Sequence, residues 1–166
     1  MQINKRYTIL ASILAIALIT TTAAFSQQEY AEHQLQTSSP YIPHHGKTIL
    51  IHITSGEADD PHQVHKATMG ADHALAWHRS GMNVVIFLDA EGVLIGAEEV
   101  PEELSRANGD LIKFLSEGGR VIACSHCVQM HGLTPDDMLP SIEIDTHPTM
   151  SRVQDILRSG ATVLDY

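Results

Sequence analysis

The sequence predicts an α/β domain of three layers, a mainly parallel sheet of about five strands with helices on both faces. Three observations predict it. Short β-branched runs alternate with helical segments along the chain, the pattern of parallel crossover units. Glycines stop the helical segments at Gly81, Gly118-Gly119 and Gly160. Beyond the first 26 residues about 140 remain, which is one domain with a real core.

The elements follow in order. Lys47 to Thr54 is a β-branched run and reads as a buried strand. After the loop from Ser55 to Asp60, Asp60-Pro61 can cap a helix with proline at its first position. That helix runs to about Ser80, with Val64, Ala67, Ala71, Ala74, Leu75 and His78 at helical spacing. Met82 to Leu88 is a second strand, Asp89 to Gly92 a turn, and Val93-Leu94-Ile95 a short extended piece. Pro101 to Glu117 is a second helix, its inward side formed by Leu104, Leu111, Ile112 and Leu115. Arg120 to Ala123 is a third strand running straight into Cys124, and Ser125 to His131 a short helix. Thr134 to Asp137 reads as a capped helical turn. Ser141 to Ile144 is a short strand, Thr149 to Ser159 a helix and Ala161 to Leu164 the last strand. The domain thus spans residues 47–166. No internal repeat and no second domain is visible in it.

What precedes the domain has a different composition. Lys5 and Arg6 are followed by an uncharged apolar run from about Tyr7 to Ala24, then by Ala24-Phe25-Ser26. A basic end, an apolar core and small residues are the layout of a secretory signal, so residues 1–26 are expected to be cleaved. The competing reading is a retained anchor, since about 20 apolar residues span a bilayer. Cleavage leaves no stable membrane insertion and addresses the chain to the periplasm or beyond. Residues 27–46, dominated by Gln, Ser, Pro and His, read as a flexible lead-in. Without Lys5 and Arg6, eight basic side chains face twenty acidic ones, a net charge of −12 with histidine neutral. That surface repels phosphate backbones and excludes nucleic acid as a natural partner.

The chemistry points to the only two cysteines, Cys124 and Cys127. A disulfide closing so short a loop would constrain the unfolded chain little, so stability is a weak reason for the pair. Cys124 stands at a strand end, where open α/β sheets gather their chemistry, and just before a helix. Free backbone N–H groups there favour an anion, so the position should lower the Cys124 pKa and make it the nucleophile. Cys127, one turn on, reaches back to the same place, and His126 and His131 can add polarity. Three readings stay open. Cys124 carries sulfur chemistry, as a persulfide or through a disulfide with Cys127, and needs no cofactor. Alternatively Cys124, Cys127, His126 and His131 hold a soft metal, copper or zinc. Otherwise the pair is inert.

Other histidines extend the metal reading. His62, His65, Met69 and His73 fall near one face of the first long helix, and His62 and His65 begin beyond the first strand, where they can approach the thiols. His52, alternating with Ile51 and Ile53, reads as a satisfied core or interface residue. Trp77 reads as a packing or interface anchor. The motif departs from the thioredoxin pattern, because it follows the third strand and Gly132 cuts its helix short. Pro148 is read as the first residue of the last helix.

Taken together, the chain from about Lys47 to Asp165 resembles the DsrE/DsrF-like family of sulfur-relay proteins. The resemblance is carried by Thr54-Ser55-Gly56 with Asp59-Asp60-Pro61, by Gly81 to Leu88, by the Gly92 region, and by Val121 to Cys127 followed by Gly132-Leu133 and Asp136-Asp137. It implies a Rossmann-like or flavodoxin-like fold, homo-oligomers (trimers or hexamers), and a persulfide on the residue matching Cys124. The partner implied is a sulfur donor or acceptor protein, or a small thiol, with Cys127 as a resolving thiol. An export signal and a second cysteine depart from the cytoplasmic relay members. They leave periplasmic sulfur chemistry, thiol redox and metal handling open.

Overall fold

The computed structural model describes residues 46–166. The expected signal peptide (1–26), most of the lead-in, and His44-His45 lie outside the described residues. Five strands form one parallel sheet in the order β4-β3-β2-β1-β5. They are β1 (Ile49–Ile53), β2 (Val84–Leu88), β3 (Arg120–Cys124), β4 (Glu143–Asp145) and β5 (Thr162–Asp165). The helices between them are α1 (Pro61–Arg79), α2 (Ser105–Ser116), α3 (Ser125–Met130) and α4 (Ser151–Arg158). All four strand pairings are parallel, as the alternation of elements required. Among the described residues no helix is long and apolar enough to cross a membrane.

The period of two along each strand sorts side chains to two faces. Ile51, Ile53, Val84, Ile86, Leu88, Val121 and Ala123 face α1 and α2 and build the larger core with Ala67, Ala71, Ala74, Leu111 and Phe114. The alternate residues Leu50, Val85, Phe87, Ile122 and Cys124 face α4 through Val153 and Ile156. Alanines on the inner side of α1 let that helix lie close to the sheet. Among the described residues, α4, eight residues long, is the helix whose side chains pack on the second face, so the sulfur of Cys124 ends up on the thinly clad side.

Three expectations are corrected. Val93-Leu94-Ile95 is not extended: Ala90–Gly96 is a 3-10 helix capped by Asp89. An apolar run of three carries no period of its own, and the close approach of Gly92 to β1 decides the conformation. A Cβ on Gly92 would sit 2.0 Å from the carbonyl oxygen of Ile53, and one on Gly56 2.1 Å from that of Glu91. Pro148 is not the first residue of the last helix, which starts at Ser151, and the His147–Pro148 peptide is cis. The second helix divides into a 3-10 turn at Glu102–Leu104 and α2 from Ser105. Elsewhere the expected elements stand, with ends moved by at most two residues, although Ile112, expected on the inward side of α2, is exposed.

Candidate functional site: a thiol pair at the carboxyl ends of the strands

Cys124 is the last residue of β3 and the N-cap of α3. The residue is 2% exposed, yet it is not sealed in hydrocarbon. It lines a pocket of about 220 Å³ with Phe87, Met150 and Val153 as apolar floor. His126 and His147 also line this pocket, and both are exposed. Their rings stack with centroids 4.9 Å apart. The loop carrying His147 is fixed to α3 by its N–H, which donates to Ser125 Oγ at 3.0 Å.

Cys127 lies one turn along α3, half-buried, and both cysteines are free thiols. Its backbone N–H donates to Cys124 Sγ at 3.4 Å, and its own Sγ lies 2.9 Å from Cys124 Sγ. The same Cys127 Sγ lies 2.9 Å from Asp89 Oδ1. A thiol has one proton, so Cys127 has two acceptors competing for a single S–H. Burial, the Asp89 carboxylate and the neighbouring Cys124 sulfur all push the Cys127 thiol well above the ordinary thiol range.

Asp89 follows the last residue of β2, the strand beside β3. Its N–H donates to Ile53 O at 3.0 Å, and its Oδ1 accepts the Ala90 N–H at 3.0 Å. Burial raises the Asp89 carboxyl, but hydrogen bonds from Cys127 and the Ala90 N–H, with the His52 imidazole, outweigh it and leave it below the usual carboxylate range. His52, in β1, stacks on Phe87 with centroids 5.0 Å apart. Its Nε2 faces Asp89 Oδ2 at 3.4 Å without the alignment of a hydrogen bond, and its Nδ1 meets Asp165 Oδ1 at 2.7 Å. A chain of polar contacts therefore runs across the strand ends from Asp165 through His52, Asp89 and Cys127 to Cys124.

The structure brings Cys124, Cys127 and His126 to one pocket, as the sequence led us to expect, and adds Asp89 and His52. The turn from Asp89 to Gly92 looked like a connection and nothing more. The signal that finds Asp89 is strand adjacency: a parallel order placing β2 beside β3 sets the residue after Leu88 next to the one after Ala123. His52, expected as a satisfied core or interface residue, is half-buried with its Nδ1 on Asp165, and its Nε2 has no hydrogen-bond partner among the described residues.

The metal grouping is not assembled as expected. Among the described residues, the close group of three cation-binding atoms is Asp89, Cys124 and Cys127, without a histidine. His131 is exposed at the C-terminal end of α3, with its N–H on Cys127 O. His62 and His65 are exposed on the first turns of α1, and that helix covers the sheet face opposite Cys124. A single sequence does not reveal which face a crossover helix covers. His73 is engaged elsewhere, bonded to the Tyr166 hydroxyl at 2.6 Å and stacked on Trp77, which packs against the core as expected.

Several solved structures share this architecture, among them the following three. The ychN protein from E. coli superposes with a TM-score of 0.58 at 18% identity, covering 73% of this chain and 100% of its own. MTH1491 from Methanobacterium thermoautotrophicum, titled a protein of unknown function, gives 0.55 at 16%, with the same coverages. BT1422 from Bacteroides thetaiotaomicron, titled a conserved protein of unknown function, gives 0.54 at 19%, covering 72% of this chain and 95% of its own. At these identities the likeness is one of fold. No curated protein matches the chain. Residues 50–165, from β1 to β5 and including both thiols, match the model of the DsrE/DsrF-like family, and the chain belongs to that family.

Proposed function

We propose that this protein is an exported sulfur carrier that accepts a sulfane sulfur on Cys124 and passes it to a second thiol. Family membership supports a sulfur-relay, thiol-related role in the coarse sense. The observation that carries the finer reading is the donors aimed at Cys124 Sγ: the N–H of Cys127 at 3.4 Å and, 2.9 Å away, the Cys127 thiol, whose one proton Cys124 shares with Asp89. Both suit a sulfur that is negative while it attacks and again when its cargo leaves.

In the loading step the Cys124 thiolate attacks the outer sulfur of a persulfide donor, R–S–SH. A sulfur–sulfur bond forms to Cys124, the donor's own sulfur–sulfur bond breaks, and R–S⁻ departs with the electron pair and takes a proton from solvent. Unloading repeats the exchange, with an acceptor thiolate attacking the outer sulfur. No external oxidant is needed, because the sulfane sulfur keeps its oxidation level. The pocket of about 220 Å³ suits the end of a small thiol or one side chain of a partner protein. Assembly into trimers or hexamers and delivery to the periplasm after loss of residues 1–26 complete the proposal.

Intact-protein mass spectrometry tests it. After incubation with a sulfane-sulfur donor, the reduced protein should gain about 32 Da, and Cys124→Ser should not. No gain on the native sequence, or the same gain on Cys124→Ser, overturns the assignment.

A further inference from the structure

A carrier with a second thiol 2.9 Å from the loaded one faces a chemical hazard. If Cys127 were a thiolate, its lone pair would attack Cys124 Sγ. A Cys124–Cys127 disulfide would form, the bond to the outer sulfur would break, and that sulfur would leave as HS⁻ with the electron pair. With protons counted, Cys124–S–SH and Cys127–SH become a disulfide and H₂S. The step needs no further reagent, and the cargo is lost to solvent instead of a partner.

We infer that Asp89 guards the cargo, holding the proton on Cys127 so that this thiol serves as a donor to the site and not as a resolving nucleophile. The reading rests on the sulfur-carrier role of Cys124 proposed above. It stands first on geometry. Asp89 Oδ1 is 2.9 Å from Cys127 Sγ, so ionising Cys127 would set two negative groups in contact. The carboxylate does not swing away freely. Its Oδ1 is held by the Ala90 N–H at 3.0 Å, and its backbone N–H by Ile53 O at 3.0 Å. The turn carrying it is pressed against β1, with no room for a Cβ at Gly92. The burial of Cys127 works in the same direction.

Among the described residues, the groups facing the pair from each packed element are few. They are Cys124 from β3, His52 from β1, His126 from α3 and His147 from the loop before α4, with Asp165 of β5 acting through His52. Among the described residues, no lysine or arginine lines the pocket. Among the described residues, Asp89 is therefore the charged group in direct contact with the Cys127 sulfur. It is also the one that a single isosteric substitution neutralises.

The test separates this inference from the carrier reading. In Cys124→Ser, Cys127 is the only thiol, and its alkylation by iodoacetamide against pH needs no sulfur donor. In Cys124→Ser with Asp89→Asn the profile should move to lower pH by about one unit or more, which is roughly tenfold faster alkylation on the rising limb. Coincident profiles, or a move to higher pH, overturn the inference. Asp89→Ser, also neutral and able to cap Ala90, carries the same expectation if Asp89→Asn does not fold. In protein loaded on Cys124, Asp89→Asn should lose its added sulfur roughly tenfold faster, with H₂S released and the disulfide appearing about 2 Da below the reduced mass. An unchanged lifetime overturns the guarding role. Failure of the native protein to load would remove the carrier reading, while the alkylation profiles would still decide what Asp89 does to Cys127.

Discussion

His52 and Asp165 are register partners across β1 and β5, and their side chains meet at 2.7 Å. A carboxylate only accepts, so the Nδ1–H donates and the Nε2 of the same ring is turned toward Asp89. Asp165 is 72% exposed, which caps what the pair contributes in water. Asp165→Asn should therefore cost under about 1 kcal/mol of unfolding free energy. His52→Ala should cost more, about 1–2 kcal/mol, because it also strips the ring stacked on Phe87. A double-mutant cycle in urea should return a coupling of about 0.5–1 kcal/mol. A coupling of zero would mean that Asp165 plays no part in orienting the ring.

Two glycines of this chain should respond to alanine in opposite directions. Gly92→Ala drives a methyl to 2.0 Å from the Ile53 carbonyl oxygen, a backbone atom of β1 that has little freedom to retreat. A loss of at least about 2 kcal/mol is expected, together with displacement of Asp89. Gly109 lies within α2 and a Cβ there meets nothing within 4 Å. Gly109→Ala should gain about 0.5–1 kcal/mol from helix propensity and a less floppy unfolded chain. Thermal melts of both variants check the pair. A tolerated Gly92→Ala would show that the Asp89 turn can stand off from the sheet.

The contrast between these glycines marks where the sequence is informative. β-branched runs and glycine stops revealed all five strands and the main helices, because a strand buried on both faces, as β2 is, reads as an unbroken apolar run. The cysteine pair was equally legible, since two thiols three apart at a strand end form a local motif. Asp89 and His52 were not, because their importance is created by the lateral order of strands, which brings residues 35 or more positions from Cys124 into one row. His62 and His65 failed for the complementary reason. Helical spacing says which residues share a face, but not which side of the sheet that helix will cover.

Asp145 is the register partner of Cys124 on β4 and is wholly buried. One carboxylate oxygen accepts the N–H groups of Arg152 and Val153 at 3.0 and 3.1 Å, while the other accepts that of Thr146 at 3.1 Å. This carboxylate satisfies the open N–H groups at the start of α4, the helix that supplies Val153 to the pocket. Asp145→Ala should cost about 2–4 kcal/mol, since buried donors lose a charged acceptor. Asp145→Asn, which keeps one acceptor oxygen, should cost less. In Asp145→Ala the start of α4 should loosen, and Cys124, almost inaccessible in the native chain, should alkylate several-fold faster. Denaturation paired with mass-resolved alkylation checks both. Lost stability with an unchanged Cys124 rate would separate the cap from the pocket.

The groups with shifted titration predict a stability plateau with two limbs. Glu143 is held below the ordinary carboxylate range by the Arg120 guanidinium, burial working against it and Arg152 adding to the effect. Asp89 and Asp137 are lowered as well. A carboxyl lowered by folding stabilises the fold above its unfolded value, and that contribution is lost as pH falls through the folded value. The acid limb should therefore begin below about pH 4.5, and Glu143→Gln should flatten it. Cys127 behaves in the opposite sense. Burial and then Asp89 raise its thiol, so its contribution is complete below the unfolded value and is lost as pH climbs toward the folded one. Tyr166, raised by burial, adds to the same limb at higher pH. Unfolding free energy in urea should thus decline above about pH 8.5, and Cys127→Ser should remove the first part of that decline. If Cys127→Ser leaves the alkaline limb untouched, the thiol is no harder to ionise inside the fold than outside it, and the crowding of sulfur and carboxylate at the strand ends carries no electrostatic weight.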